Sequence, residues 1–364
     1  MKKIGLYIHI PFCNGKCPYC DFYSIGSNSE EMDQFVTETI KYLDRYKDDK
    51  ILIDTIYFGG GTPSILGTER LVFLLKQIYG KMNVAKNAEV TMEVNPSSAL
   101  SLDFIKLKKS GLNRVSVGMQ SAVDSEMKLL GRKHKKDEVI LTIKKLQNSG
   151  IDNFSLDLMI GVPYQTNETL KESMNFCKSM GAKHISAYIL KFEEGTPFYQ
   201  NKHKMPIKNE DEQAEQYLYV CNYLESIGYI QYEISNFSKE GYESRHNNKY
   251  WQCNEYIGIG PSAHSFYNGK RFYSNRSIED FYNGITVDDG IGGNEEEFIM
   301  LNLRLRRGLI FDEYKRRYNK DLSKTFFNKC KLMQNAGYII MNENKVSLTK
   351  EGYLISNSII SELI

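Results

Sequence analysis

Tyr7-Ile8-His9-Ile10-Pro11-Phe12-Cys13-Asn14-Gly15-Lys16-Cys17-Pro18-Tyr19-Cys20-Asp21-Phe22 decides how this chain is read. Three of its seven cysteines fall within eight residues, on a loop punctuated by Gly and Pro. The loop follows the apolar run Ile4–Ile10, which reads as a β-strand. Thiolates spaced Cys-x3-Cys-x2-Cys can hold three corners of a cubane iron–sulfur cluster and leave the fourth iron open to a ligand. On the loop alone, a zinc knuckle completed by a distant residue and a chance grouping of reduced thiols remain as alternatives.

The rest of the composition narrows the setting. A chain of 364 residues has room for one large α/β domain and a smaller one. With 47 basic against 45 acidic residues the formal charge is only +2, so no electrostatic case exists for nucleic acid or membrane as a general partner. No apolar stretch approaches the roughly 20 residues of a membrane span, and Met1-Lys2-Lys3 leads into no small-residue cleavage site. The expectation is a cytoplasmic protein with reduced thiols, whose clustered cysteines serve a metal rather than disulfides. Cys177, Cys221, Cys253 and Cys330 are scattered singly and read as small buried hydrophobes.

Outward from the loop, β-like runs at Ile4–Ile10, Thr55–Phe58, Glu89–Val94, Arg114–Val117, Asn153–Leu158 and His184–Leu190 alternate with helical patterns. The helical patterns are Glu31–Tyr46, Glu69–Tyr79, Leu102–Ser110, Lys136–Ser149 and Glu168–Met180. Such alternation predicts a parallel sheet with helical crossovers, closed as a barrel or partial barrel. Polar residues sit where the strands end: Gly59-Gly60-Gly61-Thr62-Pro63, Glu93 with Asn95-Pro96, Met119-Gln120-Ser121, and Asp157. Taken singly these are turns, caps or satisfied polar groups; repeated on one rim, beside the cysteines, they form a candidate site.

The chemistry of that rim suits a nucleoside carrying an amino acid. Glycines 59–61 allow close backbone approach, Glu93 can take both hydroxyls of a ribose, and Arg132 can fork onto a carboxylate. S-adenosylmethionine meets this description.

These motifs, with Ser116-Val117-Gly118-Met119-Gln120-Ser121, Gly131-Arg132-Lys133-His134 and Asp157-Leu158-Met159-Ile160-Gly161-Val162-Pro163, resemble the radical S-adenosylmethionine (SAM) superfamily. More narrowly they resemble the branch that holds the oxygen-independent coproporphyrinogen III dehydrogenases and the HemW family of haem chaperones, nearly end to end. The resemblance implies an α/β fold: a partial (βα)6 TIM-like radical SAM barrel with a smaller C-terminal helical, winged-helix-like domain. It implies Cys13, Cys17 and Cys20 as ligands of a [4Fe–4S] cluster. It places Tyr7, Tyr19, Gly60, Gly61, Thr62, Glu93, Gln120, Arg132 and Asp157 around SAM, with Ile189 and His264 at further cofactor positions.

Two departures from the dehydrogenases favour the chaperones. Cys20-Asp21 is followed by Phe22 rather than a fourth cysteine, and only six residues precede Tyr7. The stretch Arg245-His246-Asn247-Asn248-Lys249-Tyr250-Trp251 resembles the haem-associated His-Asn-x-x-Tyr-Trp motif of HemW proteins and holds the only tryptophan. An imidazole can ligate haem iron and aromatic rings can stack on the macrocycle, so His246 is the expected ligand, with His264 the alternative. His9, in the strand leading to the cluster, reads as structural. The implied partners are haem and apo-haemoprotein acceptors, with a homodimer allowed for. The enzymatic runner-up is radical decarboxylation of coproporphyrinogen III, so whether the chain is an enzyme stays open at this point.

Past about Asn275 the rhythm changes. Glu295–Arg307, Asp312–Tyr318 and Leu322–Ala336 read as helices, a hairpin spans Gly337–Met341 and Lys345–Leu348, and Glu351–Leu363 is a last helix. The expected division is 1–228 for the barrel with its cluster loop, 229–275 for a barrel-closing segment carrying the haem motif, and 276–364 for the C-terminal domain. Residues 300–364 carry twelve Lys or Arg against six Asp or Glu, which raises a nucleic-acid-modifying radical enzyme as a third class. A solvated helix face explains those charges equally well, so no nucleic acid is expected. Docking of an acceptor protein or closure over the barrel mouth is the favoured role.

Overall fold

The computed structural model describes every residue except Ser27 and Asp49. Strands β1 (Lys2–Ile10), β2 (Ile51–Gly60), β3 (Val84–Val94), β4 (Arg114–Gln120), β5 (Phe154–Ile160) and β6 (His184–Ile189) lie side by side in chain order, all parallel. Helices cross between them as expected. The first, Ser29–Leu43, starts at a capping box in which Asn28 and Glu31 exchange side-chain to backbone hydrogen bonds of 2.9 and 3.0 Å. It turns Met32, Phe35, Val36 and Leu43 onto the sheet.

The sheet extends past the six strands at both edges. Beyond β6 lie β8 (Asn236–Ser238) and β7 (Ile230–Glu233), antiparallel; beyond β1 lie β9 (Tyr256–Ile259), parallel to it, then antiparallel β10 (His264–Tyr267), β11 (Lys270–Tyr273) and β12 (Val287–Ile291). Residues 229–275 therefore widen the sheet at its two edges. The boundary expected after residue 275 falls inside this sheet, because β12 pairs with β11 and Phe281 packs on Phe35 and Tyr42.

One face of each barrel strand builds the apolar core. Ile8, Phe58, Met92, Val117, Leu156 and Ile185 point outward to the helices and join one continuous cluster, each such burial contributing about 1.5–3 kcal/mol. The opposite face is polar: Tyr7 and His9 on β1, Tyr57 on β2, Thr91 and Glu93 on β3, Arg114 and Ser116 on β4, Ser155 and Asp157 on β5, His184 and Ser186 on β6. TIM barrels fill their lumen with Val, Ile and Leu. Here the lumen is lined for a polar ligand, and the core lies outside it.

A short helix, Arg245–Trp251, plugs the lower end, away from the cysteine loop. The Glu89 carboxylate on β3 accepts the backbone N–H of Arg245 and of His246, both at 3.0 Å, where negative charge suits a helix N-terminus. Lys249 pairs with Asp54 at 2.7 Å, both largely buried.

The C-terminal part runs helix Glu295–Leu303, β13 (Leu309–Ile310), helices Phe311–Tyr318 and Lys324–Asn335, β14 (Ile339–Met341) and β15 (Lys345–Leu348), with sheet order β13-β15-β14. This is the winged-helix arrangement. The helix expected to run to Arg307 stops at Leu303 because Leu305 bridges Glu233 at the sheet edge, and the last helix breaks at Ile355 into Lys350–Leu354 and Ser356–Leu363. The domain docks on the lower end of the barrel: Arg306 N–H donates to Tyr232 C=O at 2.9 Å, Lys350 pairs with Glu225 at 2.5 Å, and the Arg304 guanidinium lies over the Trp251 ring. Closure over the barrel mouth is thereby corrected, since this domain sits at the end opposite the cysteine loop. Its basic excess is also partly neutralised: Arg306, Arg307, Lys315, Lys320, Lys329 and Lys350 all sit in ion pairs.

Candidate functional site

The cysteine loop leaves the upper end of β1 and is tied back by Cys13 N–H to Ile25 C=O at 3.0 Å and Ile25 N–H to Pro11 C=O at 2.7 Å. Cys13, Cys17 and Cys20 are half-buried free thiols, whereas the other four cysteines are buried. Among the described residues no three Cys, His, Asp or Glu side chains converge on a single ion. Cubane ligands bind three different irons and need no common point of convergence.

The donors around the sulfurs suit thiolates. Thr62 Oγ1 donates to Cys13 Sγ at 3.5 Å, and Arg132 Nη1 reaches Cys17 Sγ at 3.7 Å. Lys133 Nζ holds the Asn14 carbonyl at 3.2 Å. Arg132 also lies 6.0 Å from the Tyr19 ring centroid, and Tyr19 in turn packs edge-on against Phe198. Burial raises the Tyr19 hydroxyl above its ordinary range, against the opposing pull of Arg132. The Arg132 Nε is buried without a partner, which leaves a fork edge for a carboxylate beside the loop.

The glycines are there because backbone meets backbone. Gly61 N–H donates to Ile10 C=O and Thr62 N–H to Phe12 C=O, each at 2.8 Å. A Cβ on Gly61 would stand 2.6 Å from the Phe12 carbonyl oxygen, and one on Gly60, which has φ 103°, would stand 2.6 Å from the His9 ring. His9 is locked between the Tyr7 hydroxyl and the Tyr23 carbonyl, each at 3.1 Å, and burial holds it neutral by lowering its pKa to about 4, so its structural reading stands.

Inside the mouth, Glu93 accepts the Tyr57 hydroxyl at 2.8 Å. Burial, with the Asp157 charge adding to it, pushes Glu93 up to about 7. Asp157 accepts Ser116 Oγ at 3.0 Å and Ser186 Oγ at 2.7 Å, and burial raises it as well. Gln120 holds φ 73°, a left-handed conformation at the top of β4, where its amide and the Arg132 guanidinium both approach Gly118. Ile189 closes β6 beside Ile160. Tyr7, Tyr19, Gly60, Gly61, Thr62, Glu93, Gln120, Arg132, Asp157 and Ile189 thus share the rim and mouth with the three cysteines. His264 lies on the same side at the head of β10, exposed and stacked on Tyr273 with ring centroids 5.0 Å apart.

His246 does not share that rim. It is 0% exposed in the plug, with Nδ1 2.8 Å from Thr55 Oγ1 and Nε2 2.8 Å from the Tyr250 hydroxyl. In this conformation both ring nitrogens are taken up by hydroxyl groups, and neither is offered to an iron. Burial lowers its pKa to about 3, so the imidazole is neutral. Sequence reasoning passed over Tyr57, Glu89 and Arg114. Their signal was a polar residue in an inward position of an otherwise apolar strand.

The donor set fits the group the motifs imply: accessible thiols with hydrogen-bond donors, a cradle at Gly61 that a Cβ would fill, an orphaned Arg132 Nε and an acid at the mouth. A [4Fe–4S] cluster held there would supply one electron for reductive cleavage of a sulfonium ligand. The residues above would hold the cluster by Cys13, Cys17 and Cys20 and orient the sulfonium ligand over it.

Comparison with known proteins agrees. The family model of the radical SAM superfamily matches residues 7–177, and that of the HemN C-terminal domain matches residues 296–355. The "Heme chaperone HemW" of Bacillus subtilis is 33% identical over 374 residues, covering 97% of this chain and 97% of that one. The "Heme chaperone HemW" of Escherichia coli is 36% identical over 268 residues, covering 72% of this chain and 70% of that one. Among solved structures, the coproporphyrinogen III oxidase HemN of Escherichia coli, a radical SAM enzyme, superposes with a TM-score of 0.83 over 100% of this chain and 90% of that one. At 17% identity, that likeness speaks to the fold alone. With a third of its residues shared along nearly its whole length, this chain belongs to the HemW family of radical SAM proteins.

Proposed function

We propose that this protein is a cytoplasmic haem chaperone, which binds haem and passes it to apo-haemoproteins, carrying a [4Fe–4S] cluster on Cys13, Cys17 and Cys20 and SAM on the rim residues. The observation that carries the reading is the end-to-end likeness to relatives named heme chaperones, 33% identical over 97% of the chain. The absence of a fourth cysteine after Cys20 agrees with it. The radical decarboxylase is not favoured.

The haem ligand in this reading is His246, released from its plug. Thr55 takes the Nδ1 side of the ring, the arrangement by which a second hydrogen bond orients a metal-binding imidazole, and the Tyr250 hydroxyl occupies Nε2 where iron would sit. Iron reaches His246 only when Tyr250 swings away. His264 supports a second reading, because its exposed imidazole needs no rearrangement.

Titrating haem into anaerobically reconstituted protein, beside His246→Ala and His264→Ala, tests both readings through the Soret band. Saturable binding lost in one variant assigns the ligand. Absence of saturable binding to the wild type overturns the carrier reading, and accumulation of protoporphyrinogen from coproporphyrinogen III under reducing conditions would establish the enzyme instead.

A further inference from the structure

Arg114, the first residue of β4, is the largest of the fully buried side chains at 2% exposure. It alternates with Val115 and Val117, which face the outer apolar cluster, so its guanidinium enters the lumen opposite Thr91 of β3. Its charge is felt by Glu93 and Asp157 in the layer above. Yet those carboxylates are occupied by the hydroxyls of Tyr57, Ser116 and Ser186. The Arg114 Nε is buried without a partner, and so, in the same layer, are Thr91 Oγ1 and His184 Nδ1. His184 is held through Nε2 by the Tyr232 hydroxyl at 2.8 Å, and burial keeps it neutral.

A buried cation with no contact anion is costly, and a direct ion pair would be the cheaper way to balance Glu93 or Asp157 if balance were the whole purpose. A guanidinium presents a planar fork that matches a carboxylate, and a neighbouring hydroxyl and neutral imidazole complete the polar wall around it. We propose that the floor of the lumen is a carboxylate-binding site built on Arg114, whose ligand is an organic acid that enters from the rim and is separate from any carboxylate held at Arg132. This goes beyond the chaperone reading and holds whether or not haem is the cargo.

The test follows the Nε–Hε resonance of Arg114 in protein labelled with nitrogen-15 arginine, reconstituted and saturated with SAM. The resonance is assigned by its disappearance in Arg114→Lys. Adding sodium propionate should shift that one resonance saturably, while sodium chloride at equal ionic strength should leave it in place. No saturable shift, an equal effect of chloride, or a shift completed by SAM before propionate is added would each overturn the proposal. Should Arg114→Lys fail to fold, wild-type crystals grown with 3-bromopropionate decide the matter: bromine anomalous density beside Arg114 supports the site, and density only elsewhere refutes it. Loss of haem binding with an intact propionate response would sink the chaperone reading and leave this site standing.

Discussion

His246 Nδ1 and Thr55 Oγ1 meet at 2.8 Å although 191 residues separate them, and this contact points the other ring nitrogen at the Tyr250 hydroxyl. A motif read as a haem ligand is thus folded as a latch on the floor of the barrel.

The latch makes Tyr250 the residue to change. Tyr250→Phe removes one buried hydrogen bond, a loss of about 1 kcal/mol, and frees Nε2. We expect haem to associate several-fold faster with this variant in stopped-flow Soret measurements. An unchanged rate would separate His246 from iron.

Glu93 sets a pH dependence. Its folded pKa is raised from 4.5 to about 7, so between those values the unfolded chain ionises while the folded chain keeps its proton. Stability should fall as pH rises through that window and then level off. At 1.36 kcal/mol per unit the loss is at most roughly 3.4 kcal/mol. Denaturation of Glu93→Gln at the two ends of the window should show that slope flattened; a slope identical to wild type would assign it to another group.

Gly61→Ala forces a methyl group to within 2.6 Å of a backbone oxygen of the cysteine loop, which can yield only by moving the loop. Iron bound per chain after anaerobic reconstitution should drop by at least half while the far-ultraviolet circular dichroism stays the same. Full iron loading would show that the loop tolerates the displacement.

Serine at Cys13, Cys17 or Cys20 should each abolish the visible absorbance of the cluster, whereas Cys253→Ala, a change at a buried thiol hydrogen-bonded by Arg317, should retain it. Retention of the cluster in all three serine variants would reject the loop as its ligand source.

Much of the upper barrel was legible in the sequence. Residues such as Val115 and Val117 alternate with polar neighbours at the period of a strand, and rim motifs such as Gly59–Thr62 follow directly where those strands end. The edges were harder. Strands β7, β8 and β12 are short and exposed or half-polar, and their pairing is decided by what lies beside them rather than by their own pattern. Arg114 stood at the start of a run read only for its strand propensity, and no local signal says whether an inward arginine will find a carboxylate.

The sequence by itself determined the six βα units, the cysteine loop and the placement of Gly59–Thr62, Glu93, Gln120 and Asp157 at strand ends, because strand period, turn chemistry and cysteine spacing are local properties of the chain. Only the tertiary structure decided that the lumen is polar, that His246 is latched between Thr55 and Tyr250, and that the winged domain sits away from the mouth. Each of these depends on which distant groups are brought within hydrogen-bonding or packing distance, and that distance is set by the order in which the strands pair rather than by any stretch of sequence.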